Sequence, residues 1–183
     1  MNDNIANNLV LQVLDRRECR GFKGPRAAEW LSFQGFMLPT RPNSWVISGN
    51  DVEEVTVAQL GASEFFIEGA VGTEILTRVA SNTVKRAGVY PILRQDFGFS
   101  ISGKDVHEVL TQVCSVNFEA LVLAASPVIM TLMMGVAVLI LPQEMREGRR
   151  YRIWCDPTYS QYILDELGQI VVEHGGLNRG DAV

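Results

Sequence analysis

Histidine and cysteine are the side chains best suited to chemistry near neutral pH, and this 183-residue sequence has two histidines and three cysteines. His107 lies in a predicted helix beside charged neighbours, where a half-exposed surface position is favoured. His174 lies at the end of the last predicted helix, where a cation complements the helix dipole. Neither histidine stands at a spacing from serine, cysteine or aspartate that predicts nucleophilic catalysis.

The cysteines are Cys19, Cys114 and Cys155, and they are far apart in the sequence. They form no C-x-x-C motif and no cysteine–histidine pair at zinc spacing, so we predict neither a disulfide framework nor a metal site. Three reduced, mostly buried thiols are typical of a cytoplasmic protein. The first residues lack the basic and apolar regions of a secretion signal, so we expect a cytoplasmic location.

Anion binding is a second function for which the sequence can be searched. Lys23 and Arg26 flank a Gly24-Pro25 turn at a predicted helix start, a geometry that can hold an anion, although a solvated turn is favoured. The sequence has no G-x-G-x-x-G motif and no phosphate-binding loop. A net charge of -5 and a pI near 5.1 argue against nucleic acid as a partner. We therefore predict no catalytic residue, no cofactor-binding residue and no metal ligand in this chain.

A strand, a glycine turn and an amphipathic helix occur twice in the sequence. The first copy leads through Gly24 into a helix with Ala27, Trp30 and Leu31 on one face. Adding 79 to these numbers gives the second copy, in which the equivalent residues are Gly103, Val106, Val109 and Leu110. Pro25 suits a helix start, since its missing N–H would have no partner there.

The two copies predict two similar half-domains, at about residues 16–80 and 92–175, within one domain spanning 16–175. Each is expected to run strand–helix–strands–helix, with mostly antiparallel pairing, which is an α+β architecture. Asp156-Pro157 predicts the start of the last helix. We assign residues 1–15 to an N-terminal extension, whose apolar residues 9–14 could form a short strand or a short helix. We assign residues 176–183 to a flexible tail.

Residues 120–143 contain no charged side chain. Their length would allow a transmembrane helix over residues 120–141. Pro127 and Gly135 interrupt the run, and β-branched residues are common around Gly135. We therefore favour two buried strands, at about residues 128–133 and 136–141, joined by a turn at Met134-Gly135. Such a hairpin belongs either in the chain's own core or in a subunit interface.

Several short motifs, in their order and spacing, resemble the gamma subunit of heterotetrameric sarcosine oxidases over about residues 16–170. The motifs are Gly24-Pro25-x-Ala27-Ala28-x-Trp30-Leu31, Leu38-Pro39-x-x-Pro42-Asn43-x-Trp45, Leu60-Gly61-x-x-Glu64-Phe65, Phe99-x-Ile101-Ser102-Gly103-x-x-Val106-x-Glu108-Val109-Leu110, Cys114-Ser115-Val116-Asn117-Phe118 and Tyr151-Arg152-Ile153-Trp154-Cys155-Asp156-x-x-Tyr159-x-x-Tyr162.

The resemblance implies a reduced form of the fold of the folate-binding T-protein of the glycine cleavage system. It implies a complex with alpha, beta and delta chains that demethylates sarcosine oxidatively to glycine. The one-carbon unit passes to tetrahydrofolate or leaves as formaldehyde, and hydrogen peroxide forms. FAD, FMN, NAD and folate would be held by the other subunits. This chain would be a non-catalytic accessory subunit of the enzyme complex. It would hold no cofactor of its own and would not be associated with a membrane.

Two features of the resemblance leave alternatives open. Related secondary-amine demethylases, such as N-methylglutamate dehydrogenase, use similar gamma-like chains, and a free-standing folate-binding protein would share the fold. Members of the family tend to have an arginine directly after the threonine that corresponds to Thr131, whereas Leu132 stands there in this chain. This departure bears on whether the hairpin faces the same partner.

Overall fold

The structure is a computed structural model that describes residues 9–49, 54–82, 86–146 and 148–179. Its strands are β1 (Val10–Val13), β2 (Arg17–Lys23), β3 (Ser44–Ser48), β4 (Val55–Gln59), β5 (Glu64–Ala70), β6 (Tyr90–Ile92), β7 (Phe97–Gly103), β8 (Ile129–Met133), β9 (Val136–Met145), β10 (Gly148–Cys155) and β11 (Leu177–Arg179). Its α-helices are α1 (Ala27–Phe33), α2 (Glu74–Asn82), α3 (Val106–Val113) and α4 (Ser160–Glu173). Short 3₁₀ turns lie at Leu123–Ala125 and Pro157–Tyr159.

The chain forms two compact units, each with its own sheet. The N-terminal unit comprises residues 16–95 and 125–128, and the C-terminal unit comprises residues 1–15, 96–124 and 129–183. Each unit runs strand, helix, three strands and helix in its main body. The fold is therefore α+β with mostly antiparallel sheets, in agreement with the prediction from the sequence.

The N-terminal unit has a five-stranded antiparallel sheet in the order β3-β4-β5-β2-β6. The helix α1 follows a turn in which Gly24 has a φ of +124°. Its Ala27, Trp30 and Leu31 are buried in the core of this unit. Phe22 of β2 lies against Trp30, with 5.0 Å between the ring centroids. The apolar face predicted from the sequence is thus the face that packs.

The C-terminal unit has a six-stranded sheet in the order β11-β1-β7-β10-β9-β8. All neighbouring strands are antiparallel except β1 and β11, which are parallel. The helices α3 and α4 contribute Val109, Leu110, Leu167 and Val171 to one core. Gly103 has a φ of +135°, so the turn before α3 uses the same left-handed region as the turn before α1.

The duplication seen in the sequence is also a duplication of sheet order. The strands β3-β4-β5-β2 of one unit correspond to β8-β9-β10-β7 of the other. Each sheet is extended by a strand that precedes the other copy in the chain: β1 comes before β2 but pairs with β7, and β6 comes before β7 but pairs with β2. The two copies therefore exchange their leading strands, a pairing that the sequence did not predict.

Two assignments at the chain ends differ from the structure. Val10–Val13, which we assigned to an N-terminal extension, is an internal strand of the C-terminal unit, with Leu9 and Leu11 fully buried. Leu177–Arg179, which we assigned to a flexible tail, pairs with it. The physical reason is that the apolar run at residues 9–14 needs a partner strand on each side. Residues 1–8 and 180–183 lie outside the described residues.

The uncharged run forms the predicted hairpin. β8 and β9 pair across a turn in which Met134 and Gly135 have φ values of +50° and +82°, typical of a two-residue hairpin loop. The alternative of a transmembrane helix over residues 120–141 is wrong, since the run folds into a short 3₁₀ turn and two strands. Within the described residues, none of the helices has both the length and the apolar character needed to span a bilayer.

Candidate functional site

The C-terminal unit has a surface cavity beside the turn into α3. Its volume is about 330 Å³. Its lining mixes two cations, two carboxylates and a histidine with small residues: Gly103, Lys104, Val106, His107, Glu119, Glu144, Gly148 and Arg149. This is the place where the C-terminal unit gathers titratable side chains, so we treat it as a candidate site.

A chain of polar contacts connects residues of the cavity lining with the buried Tyr151 and with the backbone of Phe118. The Nε2 atom of His107 lies 2.6 Å from the hydroxyl oxygen of Tyr151, which is fully buried. Arg149 is also hydrogen-bonded to Tyr151. Its Nη1 atom donates to the carbonyl oxygen of Phe118 at 3.0 Å. The Nδ1 atom of His107 faces a carboxylate oxygen of Glu119 at 3.7 Å. The contacts therefore join α3, β10 and the segment that follows α3.

The donors and acceptors in this chain allow one arrangement of protons that uses the Tyr151 hydroxyl as both acceptor and donor. Arginine can only donate, so the Tyr151 oxygen accepts from Arg149. We assign the Tyr151 hydroxyl proton to the bond with Nε2 of His107. The imidazole then carries its own proton on Nδ1, which faces Glu119. In this tautomer the Tyr151 hydroxyl and Nε2 of His107 share one hydrogen bond, and the Nδ1 proton lies on the side of the Glu119 carboxylate.

Burial shapes the titration of this pair. Desolvation, followed by the charge of Arg149, lowers the pKa of His107, and Glu119 opposes the shift. Desolvation raises the pKa of Tyr151 above its ordinary value, and the hydrogen bond from Arg149 opposes that shift. Both groups are thus held in their neutral forms at pH 7. Among the described residues that line the cavity, none is a serine or cysteine that a neutral imidazole could activate.

The other candidate residues lie in separate places. His174 caps the C-terminal end of α4, as predicted, and its Nε2 atom lies 2.8 Å from Nε2 of Gln112. Lys23 is exposed, and Arg26 contacts the carboxylate of Glu29 at 3.5 Å. The two cations at the Gly24-Pro25 turn are therefore solvated. A solvated turn is the alternative that the sequence favoured. The turn offers no independent sign of an anion.

The three cysteines are buried thiols that are not joined in a disulfide, as predicted. Burial, followed by the charges of Asp156 and Asp96, raises the pKa of Cys155 to about 11, which keeps this thiol protonated and unreactive. Among the described residues, no group of three or more histidine, cysteine, aspartate or glutamate side chains is placed to hold a metal ion.

A second candidate is a surface rather than a cavity. β8 is an edge of the C-terminal sheet, and its alternate residues face opposite sides. Ile129 and Met133 pack on the core, whereas Met130 and Leu132 point outward and are 55% and 59% exposed. We call Met130 and Leu132, with the edge of β8, the open edge. An exposed apolar edge strand is typical of a site where another chain binds.

Sequence reasoning missed the contact between His107 and Tyr151. The two residues are 44 positions apart, and their contact depends on the pairing of β7 with β10. One signal was present: Tyr151 and Ile153 share a face of β10, and an apolar face carrying a tyrosine hydroxyl predicts a buried polar partner. The open edge had a clearer signal, the absence of charge over residues 120–143.

Comparison with known proteins reveals relatives by structure alone. No protein-family profile matches the sequence, and no curated protein matches it. A solved chain of the heterotetrameric sarcosine oxidase from Corynebacterium sp. U-96, in complex with pyrrole 2-carboxylate, is similar with a TM-score of 0.74 at 16% identity. The match covers 94% of this chain and 88% of that chain.

A second similar structure is the glycine cleavage system aminomethyltransferase T from Bartonella henselae, with a TM-score of 0.71 at 12% identity. The match covers 95% of this chain and 49% of that chain, so this chain spans about half the length of the aminomethyltransferase. At these identities the similarity concerns the fold. This chain therefore has the fold shared by a sarcosine oxidase chain and the glycine cleavage T-protein.

Proposed function

We propose that this chain is a non-catalytic accessory subunit, of the gamma type, in a heterotetrameric flavoprotein sarcosine oxidase. The observation that carries the proposal is the structural match to a sarcosine oxidase chain over 94% of this chain and 88% of that chain. The match extends over most of both chains, so the fold is shared throughout. The match to the aminomethyltransferase, by contrast, covers 49% of that chain.

Two features of the chain support an accessory role. The cavity at His107 couples a neutral imidazole to a buried phenol, and its lining lacks a serine or cysteine nucleophile. The open edge at Met130 and Leu132 presents apolar side chains that a partner would cover. In this proposal, alpha, beta and delta chains carry FAD, FMN, NAD and tetrahydrofolate, and this chain binds none of them. The complex would act in the cytoplasm.

Purification of the tagged chain from the organism that encodes it tests the proposal. We expect three further chains to purify with it, together with flavin absorption in the visible range. The complex should form hydrogen peroxide when sarcosine is added. The chain expressed alone should be colourless and inactive. Recovery of the chain from its own cells as a colourless monomer would contradict the proposal.

The same purified material separates two alternatives. A related secondary-amine demethylase would use an amine such as N-methylglutamate in place of sarcosine. A free-standing folate-binding protein would bind tetrahydrofolate as an isolated chain. This alternative is worth testing because the chain shares its fold with the aminomethyltransferase. Titration calorimetry of the isolated chain with tetrahydrofolate should therefore show no binding if the accessory role is correct.

A further inference from the structure

Among the described residues, the edge strand β8 has none of the protections that natural sheets use at their edges. The short strand β6 contains Pro91, which cannot extend a ladder, and β11 has three exposed residues and ends in Arg179. β8 has five residues, with no proline and no charge. Natural proteins protect edges with proline, charge, brevity or cover, because an open ladder pairs with other chains.

Because the fold is duplicated, β8 can be compared with the corresponding strand of the N-terminal unit. β3 is the strand of the N-terminal unit that corresponds to β8, and it too is an edge of its sheet. Its outer side is covered at one end by residues 126–128. Pro127 bridges to Ser44, the Trp45 amide donates to the Ser126 carbonyl at 2.9 Å, and the Val128 amide donates to the Asn43 carbonyl at 2.9 Å. Within the described residues, β8 pairs with β9 alone.

The chemistry around β8 specifies what can cover it. Met130 lies opposite Leu139, and Leu132 lies opposite Ala137, so the outward face of the hairpin is apolar on both strands. No charged residue occurs between residues 120 and 143. A charged segment placed on this face would lose hydration without gaining an ion pair. The covering segment must therefore be extended, uncharged and apolar at alternate positions.

We propose that β8 receives a strand from another subunit of the complex, which extends the six-stranded sheet by one strand. Main-chain hydrogen bonds along the outer side of β8 would supply affinity, and contacts with Met130 and Leu132 would supply specificity. The proposal rests on the accessory function proposed above, and it names the surface through which that function is exerted. The occupant of β8 is a different chain, because the similar solved chain belongs to a heterotetramer.

Hydrogen exchange tests the proposal directly. Amide exchange is measured by mass spectrometry in the isolated chain and in the assembly purified from the native organism. We expect exchange in Ile129–Met133 to slow at least about tenfold in the assembly, because paired edge amides must open before they exchange. Exchange in Ser44–Ser48 is the internal reference, since part of that edge is covered within the chain itself.

A pair of substitutions gives an independent test. Leu132→Lys places a charge on the open edge and should abolish recovery of the partner chains. Val71→Lys is the matched control, since Val71 is also apolar and 64% exposed but lies beyond the end of β5, and this variant should keep the partners. Circular dichroism of both isolated variants establishes that they are folded.

The outcomes separate the two proposals. An assembly that forms with unchanged exchange in β8 would overturn the strand-addition proposal and leave the accessory function standing. A chain that purifies from its own cells as a monomer would overturn both. A homodimer in which β8 becomes protected would show that a second copy is the occupant, and would overturn both as well.

Discussion

Tyr151 of β10 contacts α3 and the segment that follows α3, beside the candidate cavity. Its ring packs edge-on against Phe118 at 5.2 Å between centroids, and its hydroxyl reaches His107 at 2.6 Å. A hydroxyl in a fully buried position is stabilising only while its hydrogen bonds are made. The residue therefore contributes through packing and polarity together.

Removal of the Tyr151 hydroxyl should destabilise the fold. Tyr151→Phe keeps the ring but deprives His107 and Arg149 of their shared partner, so we expect a loss of about 1–3 kcal/mol in the free energy of unfolding. Urea denaturation measures the loss. Tyr159→Phe is the control, since Tyr159 is 48% exposed, and it should change stability by less than about 0.5 kcal/mol. Equal effects of the two substitutions would contradict the role given to the buried hydroxyl.

The lowered pKa of His107 makes stability depend on pH. Its pKa in the folded chain lies below the ordinary value of about 6.5, so the unfolded chain binds this proton more readily in mild acid. The contribution of the neutral imidazole is complete above about pH 6.5 and is lost as the pH falls towards the folded-state pKa. The free energy of unfolding should therefore decrease as the pH falls below about 6.5.

His107→Gln removes the titrating group while keeping a side chain that can bond to Tyr151. Between about pH 7.5 and 5, the variant should lose less stability than the unchanged protein, because one source of proton uptake on unfolding is absent. Urea denaturation at a series of pH values gives both curves. Parallel curves would show that His107 does not contribute to the pH dependence.

A glycine turn precedes both α1 and α3. Gly24 and Gly103 have φ values of +124° and +135°, a region that other residues rarely adopt. A Cβ on Gly24 would lie 2.5 Å from the carbonyl oxygen of Gly88. Both the backbone conformation and the available space therefore require glycine at this position.

Gly24→Ala should destabilise the N-terminal unit by at least about 1–3 kcal/mol, the usual cost of a strained backbone conformation, with the steric overlap adding to it. Gly61→Ala is the matched control in the same unit, since no atom lies within 4 Å of a Cβ built there. That control should change stability by less than about 0.5 kcal/mol. Thermal or urea unfolding followed by circular dichroism distinguishes them, and a Gly24→Ala variant as stable as the control would exclude the strain.

Local sequence signals predicted most elements because local physics forms them. The i, i+3, i+4 spacing of Val106, Val109 and Leu110 defines one face of a helix whatever surrounds it, and α3 spans Val106–Val113. Met134-Gly135 accepts positive φ values and so specifies a hairpin turn. The sequence left β1 open between a short strand and a short helix, because an apolar run of five or six residues reveals neither its periodicity nor its partner.

The exchange of leading strands is a property of the whole molecule. β1 belongs to the first copy in the chain but lies inside the sheet of the C-terminal unit, between β7 and β11. Leu11 of β1 is fully buried in that unit's core, and Gln12 beside it is exposed. The beginning of the chain is thus required for the stability of a unit formed mainly from its second half.

Leu11→Ala should destabilise the C-terminal unit by about 2–5 kcal/mol, because it leaves a cavity in a closely packed core. Gln12→Ala, on the opposite face of the same strand, should have an effect below about 0.5 kcal/mol. Hydrogen exchange locates the loss: amides of Phe97–Gly103, which pair with β1, should exchange faster in Leu11→Ala than in the control. No acceleration in β7 would contradict the placement of β1.

The sequence predicts the local elements of this protein, the repeat at an interval of 79 residues and the α+β class. These can be predicted because spacing, turn residues and helix caps act over a few neighbouring residues. Three features follow only from the tertiary structure: the exchange of β1 and β6 between the copies, the contact of Tyr151 with His107, and the partial cover of β3. The same holds for β8, which pairs with β9 alone among the described residues. These contacts join residues far apart in the chain. Their energy depends on which surfaces become buried together, and no local pattern in the sequence records that.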